Sequence, residues 1–322
     1  MVGKIIQNGW NTVIRLRRAV GVIYLVNLLI AAALSIPLFF GLHRYLDYST
    51  LRSEMSSGFS YAWWSAFNFR AEGLAATLRP SLSGGFGPIF DNLELLISGN
   101  WTAYGVAVFV LGIAYVLLAA FFNGGFVGLA VEERPFSTQR FFSQSGLYFH
   151  HMAALAVTAL LLFLGIYKGL YPLVFSLVDK LTTGSLSQPW VWFVNLVAYL
   201  LLIKVIFIVT MIFDYARVIL ITDKKESAWI SIGLATLFVF RHYRAWLINA
   251  LLVGVGVLGT LTAALLLSAF RSTAFWSLLT LFALQQLFIL GLISLRLTFY
   301  ASQVEYYRRQ KEAETLVRKK RL

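Results

Sequence analysis

Six stretches of this chain are apolar at every helical phase: residues 19–40, 101–130, 152–178, 190–213, 245–270 and 274–301. About 20 such residues cross a hydrocarbon core as helix. None of the six alternates with the period of two, in segments of about ten residues, that a membrane β-barrel requires. The pattern predicts an all-α, polytopic membrane protein with six transmembrane helices. Ala31-Ala32-Ala33 resembles a signal-peptidase site behind a basic start, but the apolar run continues to Phe40, so the first span is expected to stay uncleaved.

Three shorter segments with a different rhythm lead into the first, third and fifth runs: residues 5–18, 137–151 and 227–244. Each is about four turns long, mixes aromatic and apolar with polar positions, and ends in a basic or histidine pair. They are read as in-plane amphipathic helices on the cytoplasmic side, with Ser137 and Ser227 placed as N-caps. A threefold repeat follows as an expectation, with units of about 1–131, 132–221 and 222–303 inside one transmembrane domain, 1–303. Gly9 and Gly233 each stand eight residues before a basic residue, Arg17 and Arg241, which supports the alignment; the middle copy lacks the glycine. The first unit adds a long exterior loop, 41–100, whose aromatic stretch 59–79 suits an outer headgroup layer or a cap over the bundle, and whose 83–88 segment is a turn. Residues 304–322 form a basic cytoplasmic tail, read as a helix that extends the sixth span.

Composition agrees. Of 322 residues 59% are hydrophobic and 13% charged, with a mean hydropathy of +0.75, where a soluble domain carries about 25% charged residues. There is no cysteine, which removes disulfide frameworks, thiol nucleophiles and cysteine-ligated metals. The 27 Lys and Arg divide unevenly: with six spans both termini share a side, and that side carries the N-terminal, interhelical and C-terminal basic clusters. The bias puts both termini in the cytoplasm. The formal charge of +13 is then mostly a cytosolic collar suited to anionic lipid headgroups. No basic patch is interleaved with stacking aromatics in a soluble module, so nucleic acid is not an expected partner.

Among residues that carry chemistry, Lys204 stands out. It lies about 21 Å into its span, beyond the midplane, at a depth close to that of Gln285 and Gln286. A charge there either faces a wet interior as an anion or proton site, or snorkels to the cytosolic face; the second reading is favoured. Asp214 and Arg217 are three apart at the end of the fourth span, and Asp214 is also within reach of Arg241 or Arg244 on the following element. This set is read as an interface clamp, since no second carboxylate stands nearby to share acid and base roles. Arg296 is expected to reach the cytosolic boundary with no special role. Adjacent His150 and His151 point about 100° apart on a helix, a poor chelating geometry, and are read as interfacial anchors. No HExxH, GxSxG or phosphate loop occurs, so no catalytic residue, metal or cofactor is expected. Gly124/Gly128 and Gly165/Gly169 have the small-xxx-small spacing of close helix contacts.

The run Phe121-Phe122-Asn123-Gly124-Gly125, with Arg134-Pro135-Phe136-Ser137, Arg140-Phe141-Phe142, Phe213-Asp214-Tyr215-Ala216-Arg217 and Phe238-Val239-Phe240-Arg241, resembles uncharacterised bacterial six-span membrane proteins. It is distantly similar to the membrane domain of some glycerophosphodiester phosphodiesterases, over about residues 100 to 300. The soluble phosphodiesterase domain is missing, so that activity does not carry over. The resemblance implies a bacterial plasma (inner) membrane protein. Two function classes stand: a non-enzymatic scaffold or accessory subunit of an envelope complex, meeting membrane-protein partners or a second copy of itself, and a permease or channel for a small anionic or protonatable solute with Lys204 near the route.

Overall fold

The computed structural model describes residues 2–47, 61–70, 105–268 and 274–319, and among them the backbone is helical apart from short turns. In chain order the helices are α1 (Val2–Arg15), α2 (Arg17–Asp47), α3 (Tyr61–Arg70), α4 (Gly105–Glu132), α5 (Thr138–Gly165), α6 (Tyr171–Thr182), α7 (Gln188–Thr222), α8 (Ala228–Arg241), α9 (Tyr243–Ser268) and α10 (Phe275–Lys319). A single π-helical turn, Ile166–Leu170, joins α5 to α6. Among the described residues six stretches are long and apolar enough to cross a membrane: Arg17–His43, Gly112–Glu132, Thr138–Thr182, Gln188–Thr222, Tyr243–Leu266 and Phe275–Leu316. They coincide with the six apolar runs, as they must where the hydrocarbon offers backbone groups no partner outside the helix.

The chain divides into two compact units, residues 1–24 with 119–322, and residues 25–118. In the second unit α3 buries Trp63 and Phe67, whose rings stack with centroids 5.1 Å apart. Residues 41–47 of the expected exterior loop instead continue α2 as helix, and its parts 48–60 and 71–100, with the turn at 83–88, lie outside the described residues, as do residues 101–104 of the second apolar run.

In the first unit the buried core gathers at the basic end of the spans. It is built from one face of α1 (Ile5, Gly9, Val13), the last turns of α4 and α7, the first half of α5, one stripe of α8 (Ala228, Ser231, Ala235, Val239), the start of α9, and residues 297–306 of α10. Tyr300, Ala301, Ser302, Gln303, Val304 and Tyr306 are all buried. The sixth span therefore passes into the tail without a break, and the tail's first turn belongs to the core.

Glycine lets these helices meet. A Cβ on Gly9 would stand 2.2 Å from Ser302 Oγ and 2.9 Å from its backbone nitrogen, so α1 lies directly on the α10 backbone. On α4, Gly125 meets Ser145 and Phe141, Gly128 meets Gln144, and Gly124 faces Tyr148 and Met152, all on α5. The Gly124/Gly128 spacing thus marks a helix contact. The Gly165/Gly169 spacing does not: a Cβ on either meets nothing within 4 Å, and the two flank or fall within the π turn. Close packing needs a facing helix, which spacing cannot supply.

The three lead-in segments differ from one another. A turn at Leu16 separates α1 from α2, and His242 interrupts the chain between α8 and α9. The middle segment has no such interruption, and α5 runs continuously from Thr138 through His151 into its span. Ser137 and Ser227 do occupy N-cap positions with extended backbone, yet neither hydroxyl makes the capping bond. Nor do Gly9 and Gly233 share a role: a Cβ at Gly233 meets open space.

Candidate functional site

At the end of α7 the sequence Phe-Asp-Tyr-Ala-Arg puts Asp214 and Arg217 on one helical face, and the structure adds a partner from α10. Asp214 is 2% exposed. Its Oδ1 accepts from Arg217 at 2.6 Å and from Arg296 Nη2 at 2.9 Å, and its Oδ2 accepts from Arg296 Nη1 at 3.1 Å. The Arg296 fork is bidentate, the geometry that matches guanidinium to carboxylate. The Tyr300 hydroxyl accepts from both arginines, at 3.1 and 2.9 Å, and the Arg296 guanidinium lies 4.7 Å from the Tyr300 ring centroid. Part of the Arg296 side chain stays exposed while its head group is held.

One carboxylate therefore binds two guanidiniums, which leaves the cluster one positive charge in excess. Both carboxylate oxygens are engaged, so Asp214 holds α7 against α10. The expected clamp is thereby corrected. Arg217 belongs to it, but Arg241 and Arg244 are exposed and neither pairs with Asp214; Arg244 donates to Tyr243 at 3.2 Å. Arg296, expected to have no special role, takes their place. The signal was Arg296 and Tyr300 four apart in an apolar helix, a same-face polar pair facing the core.

Further polar contacts continue along α10. Gln303 donates to Asn249 of α9 at 2.8 Å in a fully buried pair, beside which the buried Tyr215 side chain lies. Asn8 of α1 and Arg309 both donate to Glu305. Asp223, just past α7, accepts from Tyr307 at 2.9 Å and Lys311 at 2.6 Å, and Arg308 pairs with Glu133. Among the described residues α1, α7 and α9 are thus tied to α10, as are Glu133 after α4 and Asp223 after α7. The sequence reading missed Asn8, Asn249, Gln303 and Glu305; an amide inside an apolar run was the available sign for Asn249 and Gln303.

The expected intramembrane set does not assemble. Lys204 is exposed on α7 among the exposed Leu200, Leu201, Ile203 and Ile206. Gln285 is also exposed, whereas Gln286 accepts from the Tyr24 hydroxyl at 2.9 Å and so ties α2 to α10. The three residues share a depth but not a face. His151 contacts the Glu226 carbonyl at 2.9 Å, and its ring lies 3.7 Å from that of His150. Among the described residues no group of three or more His, Asp or Glu is placed to hold a metal ion.

Six helices among the described residues, long and apolar enough to cross a membrane, define a multi-pass helical membrane protein, in which buried ion pairs and amides join α7, α9 and α10. Comparison with protein-family models, with curated proteins and with solved structures finds no match to the chain.

Proposed function

We propose that this is a non-enzymatic, multi-pass protein of a bacterial inner membrane, with both termini in the cytoplasm, that acts as a scaffold or accessory subunit of an envelope complex. The observation that carries the reading is the outward face of α8. Its inner stripe is buried, yet Trp229, Ile230, Leu237 and Phe240 are all exposed, Trp229 by 69% and Leu237 by 71%. A helix apolar on both sides, fastened to an ion-paired core, is a rigid platform for lipid and for another membrane protein. Trp10 and Ile14 of α1 are exposed in the same way. In this reading α1, α8 and the first half of α5 lie along the cytoplasmic headgroup layer, as three variations on one repeated unit.

The test is the size of the assembly that contains the chain in mildly solubilised native membranes. A complex several times larger than the 36.2 kDa chain is expected, and it should shrink when Trp229 and Leu237 are both changed to Ser while the chain still inserts. A single chain of unchanged size in both cases overturns the scaffold reading.

A second reading, a permease, draws on Lys204, a charge at mid-depth on an exposed helix face. Lys204→Cys, in a chain with no other cysteine, is to be probed with membrane-impermeant thiol reagents from each side. Labelling from the outside supports a hydrated route; no labelling beside labelled loop controls removes it.

A further inference from the structure

The six apolar runs of the sequence hold three cations, Lys168, Lys204 and Arg296, and no Asp or Glu. Arg296 is held by Asp214, which stands just past the end of the fourth run, and Lys168 lies 5.9 Å from the centre of the Tyr167 ring. Lys204 is exposed, and among the described residues no acceptor meets its ammonium.

Nor does the length of the side chain bring that charge to water. Lys204 stands about 21 Å from Trp190 and about 14 Å from Phe213, the two ends of its apolar run. A four-carbon stem is shorter than either distance. Side chains on a helix also tilt toward its N-terminus, which here is away from the nearer, Asp214 end. A charge left at this depth is expensive unless another group meets it. The buried side of α7 at this level is Ala198 and Leu202, so Lys204 faces away from the helices packed there, and the group that meets it has to come from outside this bundle.

The surrounding surface has the form on which a helix packs. Phe193, Val197, Leu200 and Lys204 are all exposed and follow one another at alternating steps of four and three residues, the spacing of a seam between two helices lying side by side. Lipid tails could cover the three apolar residues, but they offer nothing to the lysine. A second copy of this chain fits no better, because its apolar runs contain no carboxylate to bring to the same depth.

We propose that the Lys204 face of α7 binds a transmembrane helix of a different membrane protein, one that carries an Asp or Glu at this depth, and that the two form an ion pair within the bilayer. The proposal rests on the scaffold reading and gives that reading's partner its chemistry. A single charged position on such a seam also fixes the register of the two helices.

The experiment uses the full chain in its native membranes, unmodified and as Lys204→Arg and Lys204→Met. Assembly size is measured after mild solubilisation. The arginine variant keeps the charge and should keep the assembly; the methionine variant should lower the share of chain in the assembly by about tenfold. The membranes are also treated with dicyclohexylcarbodiimide, which enters the bilayer and joins an amine to a carboxyl as an amide, the carboxyl oxygen leaving in the dicyclohexylurea. Peptide mass spectrometry should find Lys204 linked to an Asp or Glu in an apolar segment of another protein. The link should be missing from the arginine variant, whose guanidinium is not acylated, although its assembly persists. A lone chain in the unmodified sample overturns this proposal together with the scaffold reading. An assembly that survives Lys204→Met, or that is lost equally in both variants, overturns this proposal alone. So does an amide bond from Lys204 to a carboxyl of this chain, or to none in an apolar segment of another protein.

Discussion

Asp214 shows how a single residue sets the character of the basic end. Two guanidiniums and a tyrosine hydroxyl surround its buried carboxylate, so the substitution Asp214→Asn leaves two cations facing each other. Removing one partner of a buried pair costs about 3–5 kcal/mol, and the exposed part of Arg296, which water can reach, puts this case at the lower end. A steep loss of thermal stability in detergent is expected, and a double-mutant cycle with Arg296→Met should recover part of it. Equal loss in the single and double variants would mean that the two residues act independently. The two glycines that look equivalent in the sequence should respond in opposite directions. Gly9→Ala drives a methyl group into the Ser302 backbone and should destabilise by about 1–3 kcal/mol. Gly233→Ala meets open space inside a helix and should stabilise by up to about 1 kcal/mol. Matching thermal-shift signs for the pair would refute this difference. Asp214 and Arg217 were legible in the sequence because three-residue spacing is local. Arg296 was not recognised as their partner, because its distance to Asp214 depends on how α7 and α10 pack.

At the scale of elements, the ends of the helices are set by local chemistry that the sequence only partly reveals. After α7 the chain closes with two reversed hydrogen bonds, Lys225 N–H to Leu220 C=O and Lys224 N–H to Ile221 C=O, and Lys224 adopts a φ of +48°. This is the glycine-type helix stop with a lysine at the left-handed position, where an L side chain costs about 1–2 kcal/mol. Lys224→Gly should therefore raise the unfolding temperature by a few degrees, and a lower unfolding temperature would show that the lysine side chain has a packing role. The stop escaped the sequence reading because no glycine announces it. The same holds for α5. Its expected boundary near His151 is absent because no proline, glycine or left-handed residue stops the hydrogen-bond ladder there, whereas His242 (φ −117°, ψ 88°) does so after α8.

Across the whole molecule, the even number of membrane-length helices and the clustering of Lys and Arg make a topological prediction. Gly3→Cys and Glu314→Cys, tested one at a time, should both react with an impermeant thiol reagent from the cytoplasmic side and from no other. Opposite sidedness would mean that one of the six helices does not span. The core near α10 should also resist exchange most strongly, since α1, α4, α7 and α9 all fasten there through named pairs. Helical class, the number of spans and the basic asymmetry were determined by the sequence alone. Each follows from segment length, apolar content and charge position, quantities that the bilayer acts on without reference to any other part of the chain. Tertiary structure alone decided that Arg296 completes the clamp, that Gly9 and Gly233 have different surroundings, and that Lys204 faces outward. All three depend on which face of one helix meets another, and helices apolar at every phase leave that choice to side-chain packing and to a few buried polar pairs.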